Sequence, residues 1–138
     1  MLENKKEVAN ILNLKKKLLF ILAFFLFLIF LSGCQQETYY YKGEGDYWEG
    51  SYTSNQTSDR ENGEFVFGYK GEGEGDVGEI VYEITSNTGD HDGNRYVYGR
   101  TFTTSTACSG CAKPNEDDEF KVVIKWDGKK DEFTLKRN

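Results

Sequence analysis

Leucine and alanine almost vanish after residue 34. Only Leu135, Ala107 and Ala112 remain there, so the best helix formers are missing and a helical bundle is excluded. Basic side chains are also scarce. From Cys34 onward the chain holds 17 − 5 = 12 Lys and Arg against 23 − 2 = 21 Asp and Glu, a formal charge of −9. Sequence-independent nucleic-acid binding needs clustered cations on phosphates, and this balance argues against it. His91 is the one histidine, and the chain lacks a Gly-x-Ser-x-Gly elbow, a P-loop and an HExxH pair. A cysteine or serine nucleophile would have a single histidine to draw on. The 138 − 33 = 105 residues from Cys34 onward suit one domain and exclude a multidomain enzyme.

What is abundant lies at the two extremes of the chain. Lys15, Lys16 and Lys17 precede 14 consecutive apolar residues, Leu18 to Leu31. As a helix that run covers roughly 21 Å, short of the ~30 Å hydrocarbon core. The order of cationic segment and short apolar segment is that of an export signal. Leu31-Ser32-Gly33-Cys34 follows and resembles the bacterial lipobox, an apolar residue and two small ones before cysteine. The resemblance implies that residues 1–33 are a lipoprotein signal peptide, cleaved so that Cys34 becomes the first residue. The Cys34 thiol is then the lipid attachment site for a diacylglycerol, and its two acyl chains give stable anchoring where one would be marginal.

Beyond Cys34 stand ten Thr, six Val, three Ile, nine Tyr, five Phe and two Trp, residues that suit a pleated, half-buried surface. Apolar and polar positions alternate with period two around Trp48 and Tyr52, at Phe65, Phe67 and Tyr69, and at Ile80, Tyr82 and Ile84. The same holds for Phe120, Val122, Ile124 and Trp126, and for Phe133 and Leu135; Tyr96 and Tyr98 share one face of a segment running toward Phe102. Such alternation predicts antiparallel strands with one buried face. Turn signals fall at Asn62-Gly63, at the acidic glycine run Gly71 to Asp76, at Asp92-Gly93-Asn94 and at Asp127-Gly128. The expected fold is all-β, an antiparallel two-sheet sandwich of immunoglobulin-like type over residues 39–138, with a small barrel as the alternative. Residues 34–38 form a short tether. Tyr41-Lys-Gly-Glu-Gly-Asp46 and Tyr69-Lys-Gly-Glu-Gly-Glu-Gly-Asp76 echo each other as similar strand-to-turn sequences.

With the lipobox, the stretch from Tyr41 through Trp48 to Thr53 is similar to small lipoproteins of Gram-positive bacilli. Asp76 to Ile84 and Trp126-Asp-Gly-Lys129 resemble the same group. The likeness implies fold and location; it carries no activity.

Cys108-Ser-Gly-Cys111 is the other specific feature. Outside the reducing cytosol the pair is expected as a disulfide, here a local staple in the connection before the last hairpin. A redox-active pair would need a helix N-terminus or cations to lower its thiol pKa. Lys113 is the only local cation, and four carboxylates, Glu116 to Glu119, follow it. A zinc site needs about four ligands, and His91 with Asp90 or Asp92 would have to complete it. Asp90-His-Asp-Gly-Asn94 resembles half a calcium loop, but position 12 is Thr101 where a bidentate Glu is needed. Glu72, Glu74 and Asp76 read as a solvated acidic loop, and Tyr39-Tyr40-Tyr41 as the start of a first strand. No catalytic residue, metal or cofactor is assigned.

The expected role is therefore a non-catalytic accessory or binding protein, anchored on the extracytoplasmic face of the cell membrane. An envelope protein or a wall polymer is the expected partner, and nucleic acid is not. The alternative is an exported thiol–disulfide or metal-handling protein using Cys108 and Cys111. Residues 35–38 reach at most about 14 Å, which holds the domain near the membrane. Lys129, Lys130, Lys136 and Arg137 are expected to give the final hairpin a basic, membrane-facing end.

Overall fold

The computed structural model describes residues 2–30 and 36–137. The proposed cleavage site, the lipid-attachment residue Cys34 and the first tether residue Gln35 lie outside the described residues. The chain divides into two units, 1–35 and 36–138. The first is one helix, α1 (Leu2–Phe30). From Leu18 to Phe27 its large apolar side chains are exposed around the whole circumference. No helix among the described residues is long and apolar enough to cross a membrane.

The second unit is all-β. Its strands are β1 (Glu37–Glu44), β2 (Trp48–Gln56), β3 (Arg60–Tyr69), β4 (Gly78–Ser86), β5 (Gly89–Val97), β6 (Thr101–Ser109), β7 (Phe120–Trp126) and β8 (Lys129–Leu135). Two four-stranded antiparallel sheets form, in the orders β1-β2-β3-β6 and β5-β4-β7-β8. They pack through alternate side chains. Trp48 meets Trp126 edge-on at 5.8 Å, and Tyr41 meets Phe120 at 5.0 Å. Tyr82 lies 5.5 Å from Phe102. The alternation read at Phe65/Phe67, Ile80/Tyr82/Ile84 and Phe120 to Trp126 marks the buried face. One side of the sandwich is drawn shut where Lys42 and Lys136 exchange backbone hydrogen bonds.

The sandwich is not of immunoglobulin type. That fold places its strands in the order 1-2-5-4 against 3-6-7, whereas here most neighbours are successive hairpins. The reason is local. Tight turns at 57–59, 87–88 and 127–128 each return the chain beside the strand it has just left. At the last, Asp127 and Gly128 both have positive φ, 43° and 69°, the conformation that matches the twist of a two-residue hairpin.

Two expected turns lie inside strands instead. Asn62-Gly63 is in β3 and Asp92-Gly93-Asn94 in β5. In both, the glycine faces inward and a tyrosine occupies the space its side chain would fill. The Tyr52 hydroxyl lies against Gly63, and the Tyr82 ring against Gly93, its cross-strand partner. A glycine inside a strand marks such a close approach as readily as it marks a turn. Tyr96 and Tyr98 point outward, while Val97 between them is buried. The strand ends there, and the chain crosses to the other sheet at residues 98–100. Cys108 belongs to β6 rather than to a loop. Glu37 and Thr38 already pair in β1, opposite Gln56 and Asn55.

Candidate functional site

The sandwich has two chemically different ends. Glu37, Gln56, Glu61 and Cys108 form one rung across the first sheet, so the strand that follows Cys34 begins at the end that carries the disulfide. Cys108 and Cys111 are bonded to each other. Below them Glu61 is buried. It accepts a short hydrogen bond from the Tyr52 hydroxyl and one of 2.7 Å from Ser54 Oγ. Gln56 Nε2 donates to Ser54 Oγ at 3.0 Å and to the Pro114 carbonyl at 2.6 Å. The Tyr41 hydroxyl donates to the Asn115 carbonyl at 2.6 Å. Residues 110–119 are thereby fastened to the core. Burial, with Asp118 nearby, pushes the Tyr41 phenol up to about 12. Burial and the bond to Glu61 push that of Tyr52 up as well.

These contacts bear on the redox reading. Lys113, the one cation near the pair in sequence, donates its Nζ to the Thr57 and Ser58 carbonyls. It ties two loops together. A thiolate at Cys108 would stand across the rung from the Glu61 carboxyl, and the described residues of the second unit include no helix whose N-terminus could lower its pKa.

His91 and its acidic neighbours separate. His91 faces inward, stacks on Phe65 at 6.2 Å and holds Thr104 Oγ1 at 2.8 Å. Asp90 and Asp92 are on the opposite face of the same strand. Thr104 is four residues from Cys108 on β6, roughly 13 Å along a strand. Among the described residues no group of three or more His, Cys, Asp or Glu is placed to hold a metal ion.

At the other end a groove of about 1060 Å³ opens between the acidic glycine loop, the outer face of β4 and β5, and the β7–β8 turn. Tyr69, Val77, Val81 and Trp126 contribute apolar surface. Glu72, Asp76, Glu79 and Asp127 supply carboxylates to the lining, and Arg95, Lys125, Lys129 and Lys130 supply cations. The acidic loop is held in shape. Arg100 donates to the carbonyls of Tyr69, Gly71 and Gly73, with its guanidinium 5.1 Å above the Tyr69 ring. Asp76 accepts the Gly99 N–H at 2.7 Å. Lys125 pairs with Glu83 at 2.9 Å and Lys130 with Glu132 at 2.6 Å. Tyr96 lines the groove, and the Tyr98 ring lies 4.8 Å from it. Both remain exposed, by 49 % and 78 %.

No family model, no curated protein and no solved structure matches this chain. The site must be read from its own residues.

The groove was not legible as a site in the sequence, because its parts come from four separate segments. The signal that was present is Tyr96 and Tyr98, the first on the polar face of β5 and the second just past its end. The basic cluster expected on the final hairpin divides. Lys129 and Lys130 belong to the groove end, whereas Lys136 and Arg137 lie beyond the far end of β8, paired with Glu119 and Glu116 at 2.8 Å each. A seven-residue strand separates them.

Proposed function

We propose that this protein is a lipid-anchored extracytoplasmic lipoprotein whose β-sandwich is a non-catalytic binding module of the cell envelope. The observation that carries the reading is the order of parts: cationic segment, apolar helix, lipobox, and a compact fold whose first strand begins three residues after Cys34. A diacylglycerol on Cys34 leaves no room for a long linker. The end that carries the disulfide then lies toward the membrane and the groove toward the envelope. Ion pairing of Lys136 and Arg137 leaves little free positive charge on the membrane side, so the lipid supplies the attachment. An envelope protein or wall polymer meets the groove end.

The disulfide acts as a staple in this reading. It closes the junction between β6 and the 110–119 segment, which a reducing compartment would leave open.

Fractionation of cells expressing the chain tests the proposal. The wild type should partition with the membrane and be digested by protease added to intact protoplasts. Cys34→Ala should abolish acylation and leave an unprocessed precursor. A soluble cytoplasmic wild-type protein, or a Cys34→Ala protein processed and anchored like the wild type, would refute it. A graded glutathione titration addresses the cysteines. A staple stays oxidised, whereas a redox-active pair is reduced at a high potential.

A further inference from the structure

We infer that the groove at the 127–128 turn end is a polysaccharide-binding site, with Tyr96 and Tyr98 as its stacking platform; this rests on the binding-module reading above. The two tyrosines carry the inference. They touch each other and are exposed, Tyr96 on the outer face of β5 and Tyr98 just past the end of that strand. Neither contributes to the core, since Val97 supplies the buried side chain of that stretch. Single exposed aromatics are ordinary on protein surfaces. A touching pair of which one member lines a large groove presents flat apolar faces with polar hydroxyl rims.

The polar lining selects among ligands. Four carboxylates and four cationic groups in the lining offer acceptors and donors to the same space, and Asn94 adds both kinds. No single sign of charge dominates, so a polyanion or a polycation would meet repulsion as well as attraction there. The −9 charge of the exported part argues further against a polyanion. A sugar ring fits both surfaces. Its C–H face carries partial positive charge and meets the negative face of an aromatic ring, while its hydroxyls donate and accept at the rim. The volume, at the upper end for small-molecule pockets, favours several rings over one. Arg100 and Asp76 keep the acidic glycine loop in place before a ligand arrives, which reduces the ordering cost of binding.

The test is calorimetric titration of the full-length protein in detergent with the linear hexamer of N-acetylglucosamine and, separately, with the β-linked glucose hexamer. Saturable binding to at least one is expected, at least tenfold weaker in Tyr96→Ala and in Tyr98→Ala. Tyr40→Ala, an exposed tyrosine on the outer face of the other sheet, should bind like the wild type. Circular dichroism of each variant checks that the fold is intact. Absence of saturable binding to both hexamers, or binding that neither groove variant weakens, overturns the inference. So does saturable binding of a lysine decapeptide with no hexamer binding, which would mark a cation site. The two readings fail separately. Lost sugar binding with an acylated Cys34 sinks this site alone, and an unacylated Cys34 with intact sugar binding sinks the anchored placement alone.

Discussion

Replacing Asp131 with alanine should unfold a large part of the sandwich's stability margin. Asp131 is buried on β8, and its carboxylate reaches the turn between β1 and β2. It accepts the N–H groups of Asp46, Tyr47 and Trp48 at 3.2, 2.8 and 2.9 Å, and that of Glu132 at 3.0 Å. Trp48 is fully buried, so water cannot replace the lost acceptor for its N–H. That group alone costs about 1–3 kcal/mol when orphaned. The donors at the more exposed Asp46 and Tyr47 can turn to water, and each loses roughly 1 kcal/mol. The sum is about 3–5 kcal/mol, against a total of about 5–15 for a domain. Urea denaturation followed by tryptophan fluorescence reads it directly, with an unchanged m-value. Gly45→Ala attacks the same contact from the other side, because its new methyl group would overlap the Asp131 carboxylate. The two changes should therefore be less than additive in the double variant. A loss under about 1 kcal/mol for Asp131→Ala would refute the clamp.

Gly63→Ala should cost about 1–3 kcal/mol by chemical denaturation, since its methyl group would displace the Tyr52 hydroxyl from beside Glu61; a neutral result would contradict the close approach. Cys108→Ser with Cys111→Ser removes a four-residue loop closure and should lower stability by about 2 kcal/mol in the chain-entropy model, while leaving the far-ultraviolet spectrum unchanged. Stability should fall as pH rises past about 10. The Tyr41 and Tyr52 phenols stay protonated in the fold where the unfolded chain already ionises, so the native state binds more protons there and alkali favours unfolding. Absorbance near 295 nm should show the Tyr41 phenol ionising only toward about 12 or on unfolding; its complete ionisation by about 10 in the folded protein would contradict this. Gly128→Val at the last hairpin, where φ is 69°, should destabilise by about 1–2 kcal/mol.

Strands with a clean period of two were visible in the sequence because one face must be apolar, as at Phe120 to Trp126. β6 was largely invisible. It is threonine-rich, and as an edge strand it needs only Phe102 and Thr104 inside. Gly63 and Gly93 misled for a common reason, since a sequence does not show which tyrosine lies over a glycine. The fold class followed from composition, but strand order depends on which turns are tight. The wrong placement of two turns hid the hairpin order. At the candidate site, the bonded cysteine pair was legible from its spacing. Glu61 beneath it was not, being one of 21 acidic residues from Cys34 onward with no local mark of burial. The groove needed the fold to bring the acidic glycine loop, β5 and the last turn together.

Mass spectrometry of the protein purified from membranes of its own cells tests the placement on which the functional reading depends. The account predicts a polypeptide that begins at Cys34 and carries diacylglycerol in thioether linkage. An unacylated chain still beginning at Met1 would contradict it.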